Sequence, residues 1–337
     1  MTRTVGDYPP VAVKGPDVTT AQTKRDATRT DAGAFGDTAG ATGDKVFSGA
    51  ALTAGVVILV VLFAVAAFLV VQAMPALLAP QDQIAGGKGF WAYIYPLVVG
   101  TVIAAAIALV IATPISLGVA LFISHYAPRG LAQILGYVID LLAAIPSVIF
   151  GAWGILFLAP AVVPGYSWLA DTLGWIPIFA GPASATGKTI LTVAIVLAVM
   201  IIPIITSISR EIFLQTPKLH EEAALALGAT RWEMVRMTVF PFARPGVISA
   251  VMLGLGRALG ETMAVALVLS SGPLIASLIK SGNQTIAAEI ALNFPEASGL
   301  SLSQLIAAGL VLFVITLAVN IAARWVISRH KEFSGAN

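Results

Sequence analysis

The chain has 337 residues, of which 58% are hydrophobic and only 11% are charged, and its mean hydropathy is +0.92. Soluble domains are about 45–50% apolar and about 25% charged, so this composition excludes an ordinary soluble domain and indicates a membrane protein with several spans. The net charge of +2, with no basic stripe, gives no sign of a nucleic-acid partner, and the absence of cysteine excludes disulfides, a thiolate nucleophile and cysteine-based metal sites.

Residues 1–47 differ in composition from the rest of the chain. They are rich in Thr, Ala, Gly and Asp, with mixed charges and few large apolar side chains. Such a segment cannot bury enough apolar surface to fold, so we expect a disordered cytoplasmic tail. The first apolar segment starts near residue 50, too late and too long for the core of a cleaved signal peptide, and it is interpreted as the first membrane span.

Six segments are apolar and long enough to cross a bilayer, which takes about 20 helical residues. They lie near residues 50–79, 95–124, 131–160, 188–209, 246–271 and 303–327. Pro146 interrupts the third segment and Pro203 the fourth. Because lipid offers no partners for backbone groups, we predict an all-α polytopic fold. The predicted membrane domain covers residues 48–330, and residues 331–337 form a short cytoplasmic tail.

The lysines and arginines that flank the spans predict the orientation of the chain. All but four of the 19 lie in the N-terminal tail, the second and fourth connections, or the C-terminal end. Lys88, Lys188 and Lys280 lie on the opposite side, and Arg257 lies within the fifth span. Both termini are therefore predicted to be cytoplasmic.

The fourth connection, residues 211–246, has the pattern of two short helices. Pro217 suits the start of the first helix and Gly228 its end, and a second helix is predicted over residues 230–239, ending at Pro241. The pattern fits either a hairpin on the inner leaflet or a docking helix for a cytoplasmic partner.

Within this connection the stretch EAALALGATRWEMVRMTVFP resembles the EAA loop of ABC importer permeases. In that pattern E-A-A is followed by three residues, a glycine, nine residues and I-x-L-P. The residues that match are Glu222, Ala223, Ala224, Gly228 and Pro241. Thr238 and Phe240 replace the isoleucine and the leucine. The resemblance implies that this loop inserts into a cleft of an ATP-binding subunit and transmits its closure to the membrane domain.

The stretch GRALGETMAV, residues 256–265, places Arg257 and Glu261 inside the fifth apolar segment. A charge there costs about 2.5–3.5 kcal/mol on insertion scales. Arg257 is roughly 16 Å along a helix from Gly246, close to the midplane. Side chains four residues apart share a helix face, so the two are expected to pair, and a guanidinium offers a planar fork that matches an oxyanion. We favour a role in a solute pathway over an ion pair that only neutralises itself.

Three further polar residues are candidates for the same pathway. Asp140, in the third span, either lines a solvated inner vestibule or pairs with a cation of a partner subunit. Ser147 follows the proline kink and bonds either backbone or solute, with backbone favoured. Thr262 is a candidate donor to the solute.

The stretch RALGETMAV resembles the signature of the phosphate permeases of the Pst system, and DLLAAIPSVIFGAWG, residues 140–154, resembles the third-span motif of the PstC-type subunit. The resemblance extends from about residue 50 to the C-terminus. It implies a type I ABC importer permease for inorganic phosphate in the bacterial plasma membrane.

The same resemblance implies the partners of the chain. They are a second, PstA-type permease subunit, two cytoplasmic PstB-type subunits that bind ATP and Mg, membrane lipid, and an external PstS-type phosphate-binding protein that docks on the outer loops, especially residues 160–186. No ATPase site, cofactor or metal is expected in this chain itself.

Three alternatives are kept. Sulfate and molybdate permeases share the R-A-L-G-E core, but they usually continue with an aromatic residue and glycine where this chain has Thr262 and Met263. A membrane-embedded hydrolase would use Asp140 and Glu261 as its carboxylates, but neither G-x-G-D nor D-D-x-x-D occurs. A passive channel would not need residues 218–230.

Overall fold

A computed structural model describes residues 40–84 and 87–329, and within these ranges the chain is helical and has no strand. The contacts divide the chain into a unit that ends at Val65 and a unit that begins at Ala66. The α-helices are α1 Gly40–Leu78, α2 Phe90–Leu121, α3 Arg129–Ala143, α4 Ser147–Trp153, α5 Ala159–Leu173, α6 Ile190–Leu214, α7 Lys218–Ala226, α8 Arg231–Met234, α9 Phe240–Leu259, α10 Met263–Val268, α11 Ile286–Asn293 and α12 Leu300–Arg329.

Three π-helical turns join or extend these helices. They are Phe122–Tyr126 after α2, Gly154–Leu158 between α4 and α5, and Val235–Val239 between α8 and α9. Each adds one residue to a helical turn. The second and third turns continue one helix into the next, whereas the first ends at Ala127, where the backbone becomes extended. Such turns are frequent at functional sites.

Six helical stretches in the described part of the chain are long and apolar enough to cross a membrane. They are Val46–Leu78, Phe90–Tyr126, Ser147–Leu173, Ile190–Leu214, Arg231–Leu259 and Leu300–Trp325. The prediction of an all-α fold with six spans is confirmed, but the bounds of the third and fifth spans differ from the prediction.

The third span begins later than the sequence suggested. Helix α3 ends at Ala143, and the next helix starts at Ser147. Pro146 lacks an amide proton and disfavours helical geometry in the residue before it, so the break falls at the expected proline. The stretch that can cross the membrane is Ser147–Leu173, and Asp140 therefore lies on the preceding helix α3. Much of the stretch 160–186, predicted as an outer loop, is helical.

The fifth span begins earlier than predicted and is interrupted. The second helix of the connecting loop does not end at Pro241, because α8, a π-helical turn and α9 run on without a break to Leu259. The wide turn Val235–Val239 contains Met237, whose carbonyl a proline at position 241 would meet in a regular α-helix. The chain then leaves the helix before α10 begins at Met263.

The predicted tail, residues 1–47, lies mostly outside the described residues, as do residues 331–337. Helix α1 already begins at Gly40, so the end of the predicted tail is helical rather than disordered. Apolar side chains point outward all around α1 between residues 51 and 64. A helix that is apolar on every side and exposed to its surroundings suits lipid contact.

Helix α6 is the centre of the unit that begins at Ala66. Two thirds (67%) of its most apolar stretch is buried, whereas none of the corresponding stretch of α1 is. Helix α2 packs on α6 through small residues at every fourth position, all of them buried: Ala104, Ala108, Ala112, Ser116 and Ala120. Small side chains allow two helix backbones to approach closely, which is the usual basis of helix association in membranes.

Residues 269–285, between α10 and α11, form an irregular segment that is partly buried, most continuously over residues 282–285. The side chain of Asn283 accepts a hydrogen bond from the amide of Ile275 at 2.9 Å and donates to its carbonyl at 3.2 Å. The hydroxyl of Thr101 on α2 accepts from the amide of Ile286 at 3.0 Å. Backbone without secondary structure is tolerated in a membrane protein where its polar groups find such partners.

Candidate solute path and coupling loop

The interruption of the fifth span separates Arg257 from Glu261. Arg257 lies in the last turn of α9, where its positive charge faces the negative end of the helix dipole. Glu261 lies beyond the end of that helix, is buried, and accepts a hydrogen bond from the amide of Ala264 at 3.2 Å. The expected ion pair is therefore wrong: no such pair joins Arg257 to Glu261, because the helix face they were to share ends at Leu259.

The rest of the interruption is held by its own backbone. The hydroxyl of Thr262 donates to the carbonyl of Gly260 at 3.1 Å. Its proton is used within the break, and a role of Thr262 as donor to the solute stays a prediction. Glu261 and Thr262 thus fix the geometry of the turn between α9 and α10.

Arg257 lines an open groove of about 920 Å³ between α6, α9 and α12. Its side chain is exposed there, and within the described residues it makes no hydrogen bond and no ion pair. A Cβ atom on neighbouring Gly256 would meet nothing within 4 Å, so the groove stays wide beside the guanidinium. A cation in hydrocarbon without a partner is costly, so this arginine requires water, a partner subunit or an anion in the groove.

The other two predicted pathway residues do not reach this groove. Asp140 on α3 is exposed and accepts a hydrogen bond from the hydroxyl of Ser207 on α6 at 2.6 Å. Ser147, half-buried at the start of α4, makes no side-chain hydrogen bond to any described residue, so the expected bond to backbone is not formed. Neither residue is among those that line the groove.

The loop that resembles the EAA motif packs on a small apolar core. Ala224, on the inner face of α7, packs with Phe213, Met234 and Val239. Gly228 ends the helix with a φ of 88°, a conformation that side chains with a Cβ disfavour. The predicted helix bounds at Pro217 and Gly228 are confirmed.

The outer face of the same loop is exposed. Glu222 and Ala223 point away from the core, together with the large apolar side chains Leu219 and Leu227, whose exposed fractions are 76% and 89%. Pro241 is exposed at the start of α9. Leucines this exposed on a short helix form a surface suited to a protein partner.

A hydrogen bond connects the loop to the second span. Nε2 of His125, in the π-helical turn after α2, lies 3.4 Å from Oε1 of Glu221 on α7. Nδ1 of His125 lies 2.7 Å from the hydroxyl of Ser124. Sequence reasoning did not find this contact, because the two residues are 96 positions apart and nothing in either local pattern marks them as partners.

A helix that stops inside the bundle beside an open groove is typical of transporter membrane domains, in which interrupted helices line the solute path. The fold and the site thus define the membrane subunit of a transporter. The chain belongs to the family described as binding-protein-dependent transport system inner membrane component, whose profile matches residues 112–332. It is accordingly a multi-pass protein of the bacterial plasma membrane, from a family whose members work with an ATPase and a solute-binding component.

Relatives of high similarity carry the name phosphate transport system permease protein. The chain is 46% identical over 301 residues to "Phosphate transport system permease protein PstC 2" of Mycobacterium bovis, covering 84% of this chain and 91% of that one. It is 43% identical to "Phosphate transport system permease protein PstC" of Mycobacterium leprae, covering 77% of this chain and 85% of that one.

A solved structure has the same fold. A chain of a bacterial ABC transporter involved in the import of the acidic polysaccharide alginate aligns with a TM-score of 0.58 at 17% identity, covering 86% of this chain and 96% of that one. The type I importer fold that the sequence implied is thereby confirmed.

Proposed function

We propose that this chain is a permease subunit of an ATP-driven importer of inorganic phosphate and forms half of its solute path. The observation that carries the proposal is Arg257, an intramembrane guanidinium that faces an open groove at the end of an interrupted helix. A guanidinium presents parallel N–H donors that match the oxygens of a tetrahedral anion. The names of the relatives support phosphate as that anion.

The path requires a second subunit, and we assign that role to a PstA-type permease. Arg257 is exposed in the single chain, and a partner permease would enclose the groove so that the guanidinium meets water and solute instead of lipid. In this arrangement Arg257 attracts phosphate. Glu261 holds the turn between α9 and α10 in place by its hydrogen bond to the amide of Ala264.

Energy is supplied in this proposal by two PstB-type subunits, which hold the ATP and Mg. Glu222 and Ala223 contact the ATPase, Ala224 holds α7 on its core, and Gly228 and Pro241 set the bends on either side. An external PstS-type protein delivers phosphate to the outer segments that follow α5 and α10. The exposed side chains of Leu219 on α7 and Leu227 at its end support this role for the loop.

A permease for sulfate or molybdate is the competing function, because a guanidinium can donate hydrogen bonds to those oxyanions as well. The test is ATP-dependent uptake of labelled phosphate by the assembled complex in liposomes, with unlabelled sulfate, molybdate or phosphate as competitor. The proposal predicts uptake that needs ATP on the side of the membrane that the ATP-binding subunits face. Only unlabelled phosphate or a close analogue such as arsenate should suppress this uptake. Absence of phosphate uptake, or uptake that sulfate or molybdate suppresses at lower concentrations than unlabelled phosphate does, would contradict the proposal.

A further inference from the structure

The groove that holds Arg257 extends along two facing helix surfaces. On α9 it is lined by Ser249, Met252, Leu253, Gly256 and Arg257, and on α12 by Leu317, Asn320, Ile321, Ala323 and Arg324. On each helix these positions recur at steps of three and four residues, so each set is one continuous face. The groove is therefore a built interhelical channel that is open at the side and contains a second guanidinium.

Arg324 lies away from Arg257 along the groove. Consecutive spans run in opposite directions, so the Arg257 end of the α9 face is matched with Leu317, and the Ser249 end with Arg324. The seven residues from Leu317 to Arg324 correspond to about 10 Å along the helix. Asn320 lies between the two ends of the α12 face.

The polar side chains of the α12 face are free to meet a ligand. Asn320 and Arg324 are both exposed, and neither makes a hydrogen bond or an ion pair with any described residue. Across the groove the hydroxyl of Ser249 donates to the carbonyl of Pro245 at 3.0 Å, which leaves its oxygen as an acceptor only. The donors directed at the groove are thus guanidinium and amide groups, which suit an oxyanion.

We propose that Asn320 and Arg324 form a second, weak oxyanion station of the solute path, on the predicted cytoplasmic side of Arg257. The assignment rests on the proposed function for the identity of the anion. Conduction needs sites that bind well enough for entry and weakly enough for exit, and two cationic stations in succession along the groove satisfy both conditions better than one deep site. Arg257 receives the anion near the interruption, and Arg324 with Asn320 draws it toward release.

Arg324 also has a simpler role available, as a positive anchor that reaches the lipid headgroups from near the end of α12. That role does not require a water-filled groove or an oxyanion. The two roles differ in what a cysteine beside Arg324 would react with.

The chain has no cysteine, so Asn320→Cys introduces a single thiol into it. The assembled complex in liposomes is treated with an anionic or a cationic methanethiosulfonate of similar size, and the modification of this chain is followed by mass. We expect both reagents to react, with a preference for the anionic one that falls on the order of tenfold when Arg324→Gln is added, because a cationic cleft concentrates anions. Val110→Cys, on an exposed position of α2 away from the groove, is the matched control and should react with neither.

Two results would overturn the station. One is a thiol at position 320 that no charged reagent modifies, which would mean a dry or lipid-filled groove. The other is a preference for the anionic reagent that Arg324→Gln leaves unchanged. An anionic lipid headgroup as the occupant is distinguished by composition: vesicles with phosphatidylglycerol would then suppress labelling that occurs in phosphatidylcholine alone, and this too would overturn a path for free solute.

Transport gives the second readout. Arg324→Gln should lower the initial rate of phosphate uptake several-fold while assembly is kept, whereas Arg129→Gln, an exposed arginine at the start of α3 outside the groove, should leave it unchanged. Equal rates in both variants would contradict the station. The labelling preference does not depend on which oxyanion is carried, so it can hold even if the complex imports sulfate, and it can fail while phosphate import is intact.

Discussion

At the scale of residues, the interruption between α9 and α10 depends on the buried carboxylate of Glu261. This carboxylate accepts a hydrogen bond from the amide of Ala264. That amide lies at the start of α10, where backbone N–H groups have no partner within the helix. With Thr262 bonded to the carbonyl of Gly260, the turn has satisfied polar groups although it lies inside the bundle. Because Glu261 bonds to the backbone of this turn, the guanidinium of Arg257 stays exposed in the groove.

Replacing Glu261 by alanine removes this acceptor and should destabilise the assembled complex by about 1 kcal/mol, the usual cost of losing a side-chain bond to a helix N-terminus. Glu261→Gln keeps an acceptor oxygen and should lose less. Thermal unfolding of the purified complex in detergent compares them. An alanine variant as stable as the glutamine variant would exclude this structural role.

The residue types at positions 257 and 261 singled out this part of the fifth span in the sequence, but the ion pair predicted from their spacing is wrong. The expectation of a pair assumed one continuous helix through Gly256 and Gly260. Glycine has more backbone freedom than other residues and gives a helix little support, and here the second of them follows the last helical residue. A periodicity of apolar residues continues across such a short break, so the pattern alone could not reveal it.

At the scale of elements, helix α7 is held both by its apolar core and by the contact between Glu221 and His125. The π-helical turn that carries His125 continues from α2, which packs on the central helix α6. A displacement of α7 by a partner would thus be transmitted to the second span directly as well as along the chain.

Glu221→Ala should weaken this transmission. A hydrogen bond contributes about 1 kcal/mol, which corresponds to about a fivefold change in the population of the connected state. We expect solute transported per ATP hydrolysed to fall by up to that factor, with assembly unchanged. The control is Glu211→Ala, an exposed carboxylate at the end of α6 without a partner in the described residues. An equal effect of the two substitutions would show that the contact plays no part in coupling.

The irregular segment of residues 269–285 lies against α2 at Gly100. A Cβ atom there would collide with the carbonyl oxygen of Gln284, a backbone atom that cannot move aside alone. Gly100→Ala should therefore displace the segment and cost at least 1–3 kcal/mol, the usual range for overpacking.

Gly118, on the same helix with nothing within 4 Å of its Cβ position, provides the matched control. Gly118→Ala should be neutral or slightly stabilising, since alanine favours helix over glycine. Unfolding temperatures of the two variants in detergent test the difference. If Gly100→Ala were as stable as Gly118→Ala, the close approach of the segment to α2 would be wrong.

Local signals predicted some element boundaries and missed others. Pro146 and Gly228 end helices as expected, since one lacks an amide proton and the other adopts a positive φ. Pro241 does not, because the wide turn before it accommodates the ring. The irregular segment contains four Ser and two Gly, with Pro273 and Asn283, which is a signal of broken structure. The burial of its last residues results from contacts with α2 that no local pattern contains.

At the scale of the whole molecule, the composition predicted how much of the chain is apolar, but not which apolar helices are buried and which are exposed. The six-span fold followed from segment length and hydropathy, and it is confirmed. The burial of α6 and the exposure of Arg257 did not follow, because they depend on which helices are neighbours. In the proposed complex a second subunit covers the groove, so that the guanidinium is not left facing lipid.

The most direct measurement is the initial rate of ATP-dependent phosphate uptake by complexes reconstituted with Arg257→Gln or Arg257→Lys. A bond from a charged donor contributes about 1.5–3 kcal/mol, so we expect Arg257→Gln to be slower by about ten- to a hundredfold. Arg257→Lys should be intermediate, because lysine keeps the charge but lacks the planar fork. Uptake at the wild-type rate by the glutamine variant, in complexes that assemble fully, would contradict the placement of Arg257 in the solute path.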